Sequence, residues 1–253
     1  MDDVGDDDGW SQHLASAIDG TPLEPTLEDA VRPMSGLLFG TSDGRRQKLD
    51  FGEVKGLLRQ KRREMAGIIR RELEGCEGSI SEDCALAIYL YTVDRPFRLF
   101  NLVNSRMCAP GRFDPTAPGG LSSELRKCLP YIKFLRHALL SLPGKYRFKG
   151  RCFRGVKWAF PRVGWEPDGT WSTDHDLERH YPPGRKFRWY EFKSASTIHA
   201  TMYMDCFCGV SGPRTIFFIE GVLGFRIQPF SAIVTEHEVL FLVSPAPNAP
   251  RPL

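Results

Sequence analysis

The feature that most constrains this chain is a change of texture at Gly144. Before it, apolar residues recur at helical spacing. After it, they come in short aromatic and β-branched runs. Val54, Leu57, Leu58, Met65, Ile68, Ile69 and Leu73 step by threes and fours, which predicts an amphipathic helix over residues 51–74. Its other face carries Lys55, Arg59, Lys61, Arg62, Arg63, Arg70 and Arg71 and reads as a solvated face. Ser79 and Glu82 fit a capping box for a helix running through Cys84 to Tyr91. Leu99–Arg106 and Glu124–Leu142 predict two more helices, the second stopped by Pro143-Gly144. Beyond Gly144, Phe148–Trp158, Arg188–Phe192, Thr215–Val222, Ser231–Val234 and Val239–Val243 read as strands. Helices first and strands second predict an α+β fold, with the helices packed on a sheet-rich half.

The 253 residues are 42% hydrophobic and 26% charged, enough to bury a core. That excludes a wholly disordered chain, a collagen-like fibre and a disulfide-dominated miniprotein. Residues 1–31 hold nine acids and no Lys or Arg, so the rest carries 34 basic against 22 acidic side chains, a net +12. A basic body suits an anionic ligand: nucleic acid, a phosphorylated small molecule or an acidic partner surface. The expected organisation is an acidic, mostly flexible segment (1–50), one domain (51–243, helical to 144 and β-rich from 145), and a Pro-rich tail (244–253). There is no run of about 18 apolar residues and no charged-then-apolar leader, so neither a membrane span nor a signal peptide is expected. The seven cysteines are irregularly spaced and read as free thiols in a reducing compartment.

Three spots in the β-rich half can carry chemistry. Arg154, in Cys152-Phe-Arg-Gly-Val156, is an arginine on an apolar strand, costly there without an anionic partner. Its planar fork suits phosphate or carboxylate, and Gly155 lets a ligand approach the backbone. Trp189-Tyr-Glu-Phe-Lys-Ser194-Ala-Ser196-Thr197 leads aromatics into three hydroxyls. Thr235-Glu236-His237-Glu238 opens an apolar strand, where acids at i and i+2 point the same way and raise one another's pKa.

In that order, these pieces resemble the Arg-Ser-Glu class of mono-ADP-ribosyltransferases, found as eukaryotic enzymes and bacterial toxins. Ala87-Ile-Tyr-Leu-Tyr-Thr92 and Phe100-Asn-Leu-Val-Asn-Ser-Arg106 are similar to that family's helices. Ala138–Pro143 followed by Phe153-Arg-Gly-Val156 is similar to its first strand, and Phe230-Ser-Ala232 before Glu236-x-Glu238-Val-Leu-Phe241 to its ending. The resemblance spans roughly residues 50–243. It implies two small sheets flanking an NAD cleft, with NAD as substrate and no metal. It also implies Arg154 on the phosphates and ribose, Gly155 on the nicotinamide amide, and Ser194 positioning the catalytic Glu238. Glu236 is implied as the acid tied to an arginine acceptor on a target protein. Ala195 departs from the family's Ser-Thr-Ser, and Ser196-Thr197 is an alternative register for the serine.

The expected reaction is transfer of ADP-ribose to a protein arginine. The alternatives are NAD hydrolysis at the same site and a non-catalytic protein- or nucleotide-binding module. A nucleic-acid binder using the basic helix at 51–71 finds no aromatic-interleaved motif, so no nucleic acid and no membrane partner is expected. The expected location is cytoplasmic or inside a host cell after delivery. Tyr203 or Phe207 is a candidate to stack on nicotinamide. Cys206-Phe-Cys208 with His199 reads as thiols rather than a metal site. Asp174-His-Asp176 and Glu178-Arg-His180 read as a solvated loop that could recognise a target. The acidic start is expected to fold over the basic cleft and restrain activity.

Overall fold

The computed structural model describes residues 8–40, 45–76, 78–108, 112, 114, 116–157, 162–165, 171–173, 182–184, 189–205 and 207–242. Cys206, the clusters at 174–176 and 178–180, and the tail from 243 lie outside these residues.

The first half is helical, as the periodicity predicts. Helices α1 (Asp8–Gly20) and α2 (Leu27–Val31) lead to a hairpin of β1 (Leu38–Gly40) and β2 (Arg46–Lys48). Helix α3 (Phe51–Leu73) starts at Asp50, whose side chain accepts from the Glu53 amide, and buries Val54, Leu58 and Met65. Helix α4 (Glu82–Thr92) is buried from Cys84 to its end at Thr92, with Tyr89 alone in that stretch partly exposed. Its N-cap is Ser81, accepting from the Cys84 amide at 3.1 Å, not Ser79. Glu82 is therefore the first helical residue, and the capping box expected from sequence does not form. Helices α5 (Leu99–Met107) and α6 (Ser123–Leu140) complete the layer, with α6 packed on α4.

The N-terminal segment differs from its expected looseness. Trp10, Leu14 and Ile18 recur every four residues along α1 and are buried, as are Leu27, Ala30, Val31 and Met34. One core runs from Trp10 to Leu240, so residue 51 is not a boundary within it. The acids here serve the helices. Asp19 pairs with Arg136 and Lys133 of α6, and Glu28 with Lys55 of α3, so neither reaches over toward Arg154. Residues 1–7 lie outside the described residues.

In the second half, β3 (Arg147–Val156) pairs antiparallel with β7 (Thr215–Arg226), and β6 (Lys193–Ser196) with β8 (Glu238–Phe241). The two pairs are joined at Phe225↔Leu240 and Arg226↔Val239, and again at the single pair Phe153↔Ser196, so the four strands close on each other. Phe148, Cys152, Ala195, Ile219, Val239 and Phe241 fill the interior. A Cβ on Gly224 would lie 2.6 Å from Val239 Cγ1, so close strand approach requires the glycine there. Strands β4 (Arg162–Trp165) and β5 (Trp171–Thr173) form a separate hairpin. No described helix is long and apolar enough to cross a membrane.

Two expected strands are absent for a shared reason. At 189–192 the Phe192 carbonyl is taken by Tyr91 and Asn104, and the strand begins only at Lys193. At 231–234 the Ala232 amide goes to Thr92 Oγ1 and the Ile233 amide to Ser231 Oγ. Side chains have captured the backbone groups that a ladder would use.

Candidate active site

The two halves meet where β6 and β8 face the helices. Side chains alternate along a strand, so Ala195, Val239 and Phe241 point into the small interior while Leu240 joins the helical core. Ser194 and Ser196 share the face of Glu238 and Leu240. In the antiparallel register Ser196 is opposite Glu238 and Ser194 opposite Leu240, which puts Ser194 diagonal to Glu238.

Glu238 is 7% exposed. Burial pushes its carboxyl up to about 8, and the neighbouring Glu236 adds to the rise. Hydrogen bonds from Ser194 and Ser231 and the charge of Arg154 oppose it. Ser196 is used differently: its hydroxyl donates to the Glu236 carbonyl at 2.7 Å and meets Thr201 Oγ1 at 3.2 Å. Of the two candidate serines, Ser194 is the one that draws the Glu238 carboxyl down, while the Ser196 hydroxyl is spent on the Glu236 carbonyl.

The Glu-x-Glu pair is not two residues of one strand. Glu236 ends a 3₁₀ turn (Val234–Glu236), His237 is left-handed at φ 47°, and Glu238 opens β8. The turn is tied from β6, where Ser196 holds the Glu236 carbonyl and the Thr197 amide holds the His237 carbonyl at 3.2 Å. Glu236 is half-buried, and its carboxyl is raised first by burial and then by Asp94.

Arg154 sits on β3 with Nη1 donating to the Ser194 carbonyl at 2.9 Å. At Gly155 the space a side chain would need is taken: a Cβ there would lie 2.1 Å from Cys208 Sγ and 3.2 Å from Met202 Sδ. Cys208 thus packs against the strand, and among the described residues no group of three His, Cys, Asp or Glu side chains could hold a metal. Tyr203 is exposed and edge-on to His199 at 5.2 Å, and Phe207 is half-buried.

The approach to Ser194 is anchored by charge. Lys193 and Glu191 form a buried ion pair, and Cys108 Sγ donates to Glu191 at 2.9 Å, its thiol pushed up to about 12 by burial and by that carboxylate. The Arg112 guanidinium lies 4.9 Å from the ring centroids of both Trp10 and Tyr190. Helix α1 is thereby linked to the segment that feeds β6.

No family model and no curated protein sequence matches the chain. Solved structures do. The type III effector XopAI from Xanthomonas axonopodis pv. citri superposes with a TM-score of 0.53 at 18% identity, over 96% of this chain and 84% of that one. The eucaryotic mono-ADP-ribosyltransferase ART2.2 gives 0.51 at 16%, over 96% and 81%. The ADP-ribosyltransferase HopU1 of Pseudomonas syringae pv. Tomato DC3000 gives 0.50 at 18%, over 86% of each. The chain has the ADP-ribosyltransferase fold.

Within this fold, four residues at the site carried no assigned role in the sequence. Ser231 draws the Glu238 carboxyl down, and Tyr91, Asn104 and Thr92 hold the backbone at Phe192, before Ser194, and at Ala232, after Ser231. All four fall inside the motif pieces quoted above. Helical periodicity assigns Tyr91 to the core and leaves its hydroxyl without a stated partner, so the pattern alone does not reveal these contacts.

Proposed function

We propose that the protein transfers ADP-ribose from NAD to a guanidinium of a target protein and releases nicotinamide. The observation that carries this reading is the buried Glu238 carboxyl, diagonal to Ser194 on the paired strand, with Arg154 tied to the Ser194 carbonyl at 2.9 Å and Glu236 on the adjoining turn. Breaking the bond between ribose C1′ and nicotinamide builds positive charge on the ribose, which a fixed carboxylate stabilises. Glu238 is largely protonated at neutral pH in the free protein. The cationic nicotinamide ring of NAD supplies the opposite charge that favours its ionised form. Arg154 has donors beyond the one used on Ser194, suited to the pyrophosphate. Glu236 accepts the proton that the incoming guanidinium must lose, and its raised pKa makes it a stronger base.

The fold neighbours support the reading: two are named as ADP-ribosyltransferases, and ART2.2 structures include complexes with NADH and with NAD. XopAI is named as a type III effector, in keeping with action after delivery into a host cell.

The test uses labelled NAD, purified protein and a mixed-protein lysate, following label into protein and nicotinamide into solution. Wild type is expected to give both, Glu238→Ala neither, and Glu236→Ala nicotinamide with little labelled protein. Nicotinamide without labelled protein from wild type would make the chain an NAD glycohydrolase. No nicotinamide from wild type would leave a binding module and refute the reading.

A further inference from the structure

Ser196 has no part in the reaction as proposed so far, yet its hydroxyl is fully engaged. It is buried at the end of β6, opposite Glu238 in the ladder. Its one proton goes to the Glu236 carbonyl at 2.7 Å, and its lone pairs face the Ile198 amide at 3.1 Å and Thr201 Oγ1 at 3.2 Å. The next residue repeats the hold: the Thr197 amide donates to the His237 carbonyl at 3.2 Å. Two successive carbonyls of the acid-bearing turn are thus fastened to the end of β6. Inside the turn the Glu236 amide reaches the Ile233 carbonyl only at 3.3 Å. His237 is left-handed at φ 47°, a conformation that a histidine keeps only where its surroundings hold it. The turn therefore takes its shape from β6 more than from its own bonds.

We propose that Ser196 is a positioning residue for Glu236 and decides whether a guanidine or water captures the ribose. This rests on Glu236 being the base of the proposed transfer. In either outcome the bond from ribose C1′ to nicotinamide breaks, and its electron pair leaves with the ring nitrogen, which becomes neutral. In transfer, a guanidinium nitrogen forms the new bond to C1′ and its proton passes to the Glu236 carboxylate. In hydrolysis, a water oxygen forms that bond and its proton passes to solvent. Water attacks with a lone pair it already has, whereas a guanidinium must be relieved of a proton first, so only transfer needs a base at a fixed place. A misplacement of about 1 Å in such a group can cost about a hundredfold in rate. Ser196 favours the guanidine by holding the turn that carries this base.

The test uses the full chain with NAD and agmatine, a small guanidine, and reads the ratio of ADP-ribosyl-agmatine to free ADP-ribose. Ser196→Ala is expected to lower that ratio about tenfold. Ser196→Cys, with nearly the same shape and a weaker donor, should lower it less. In a Glu236→Ala background, adding Ser196→Ala should move the ratio by less than about twofold, since the serine acts through that glutamate. A ratio in Ser196→Ala within about twofold of wild type, or an equal fall in the Glu236→Ala background, would overturn the proposal. Amide exchange without NAD reads the hold itself. In Ser196→Ala the Glu236 and Thr197 amides should exchange about tenfold faster, while those of Leu240 and Phe241 in β8 keep their wild-type rates. Unchanged Glu236 and Thr197 amides, or a β8 that loosens equally, would also overturn it. If wild type makes no ADP-ribosyl-agmatine, the proposed transfer fails, and exchange alone judges whether Ser196 holds the turn.

Discussion

Glu238→Gln should make the protein more stable while removing its activity, and the gain should depend on pH in a defined way. The wild-type carboxyl is held at about 8 against 4.5 for an ordinary glutamate, with burial the leading cause. A group whose folded pKa is raised contributes stability that is fully present below its unfolded pKa and lost as pH climbs through the folded one. At 1.36 kcal/mol per unit, the loss amounts to about 3–5 kcal/mol by pH 8.5. Glutamine keeps an oxygen to accept from Ser194 and Ser231 and has no charge to desolvate. In a domain of this size each kcal/mol moves Tm by about 2–4 °C. The variant should therefore melt within ~2 °C of wild type at pH 5 and roughly 10 °C above it at pH 8.5. Calorimetry or circular dichroism on both proteins across that range gives the comparison. Two melting curves that track each other in parallel from pH 5 to 8.5 would refute the argument, because Glu238 would then ionise at no folding cost.

Other consequences follow from named contacts. Gly155→Ala places a methyl on Cys208 Sγ and should lower stability by about 1–3 kcal/mol in urea titrations, with Cys208→Ala added to it recovering much of the loss. His237→Gly should be neutral or stabilising and His237→Val destabilising by about 1–2 kcal/mol, since only the latter strains the left-handed turn between the two acids. NAD binding should release a proton near pH 7.5, as the cationic ring draws Glu238 toward its ionised form; titration calorimetry in buffers of different ionisation enthalpy reads it, and a buffer-independent heat would count against the site. Deleting residues 1–45 removes the buried Leu14, Ile18, Leu27, Val31 and Met34. Each contributes about 1.5–3 kcal/mol of burial, so the truncated chain should show no cooperative melt, whereas a detachable inhibitory segment would leave a folded core.

What the sequence disclosed and what it hid divide along physical lines. Helix α3 was legible because its apolar residues repeat over six turns, and β3 and β7 because aromatic and branched residues cluster between turn signals. Helix α1 was hidden because three apolar residues, Trp10, Leu14 and Ile18, stand among acids and small residues, where composition suggests disorder. The true start of β6 and the turn at 231–236 were hidden because their backbone groups bond to side chains some 90 to 140 positions away. No local propensity records such a partner. Arg154, Ser194, Glu236 and Glu238 could be named from their order, whereas the split between Ser194 on the carboxyl and Ser196 on the turn depends on register.

The costly features of this molecule gather in one place. A carboxyl is buried at Glu238, a non-glycine residue is left-handed at His237, and a lysine and a glutamate are buried at 193 and 191. Each opposes folding on its own terms. Each is also held by contacts from another element: Thr197 and Ser196 on the turn, Cys108 on Glu191, and Tyr91, Thr92 and Asn104 on the segments bearing Ser194 and Ser231. A fold selected for stability alone would place an apolar residue at 238 and let the two hydroxyls go. Keeping the carboxyl instead, with two donors and a nearby guanidinium that partly offset its burial, leaves a group poised to take up charge when a cation arrives. In the proposed reaction that is the electrostatic requirement for cleaving a bond to a positively charged nicotinamide, met at the junction of β6, β8 and the end of α4.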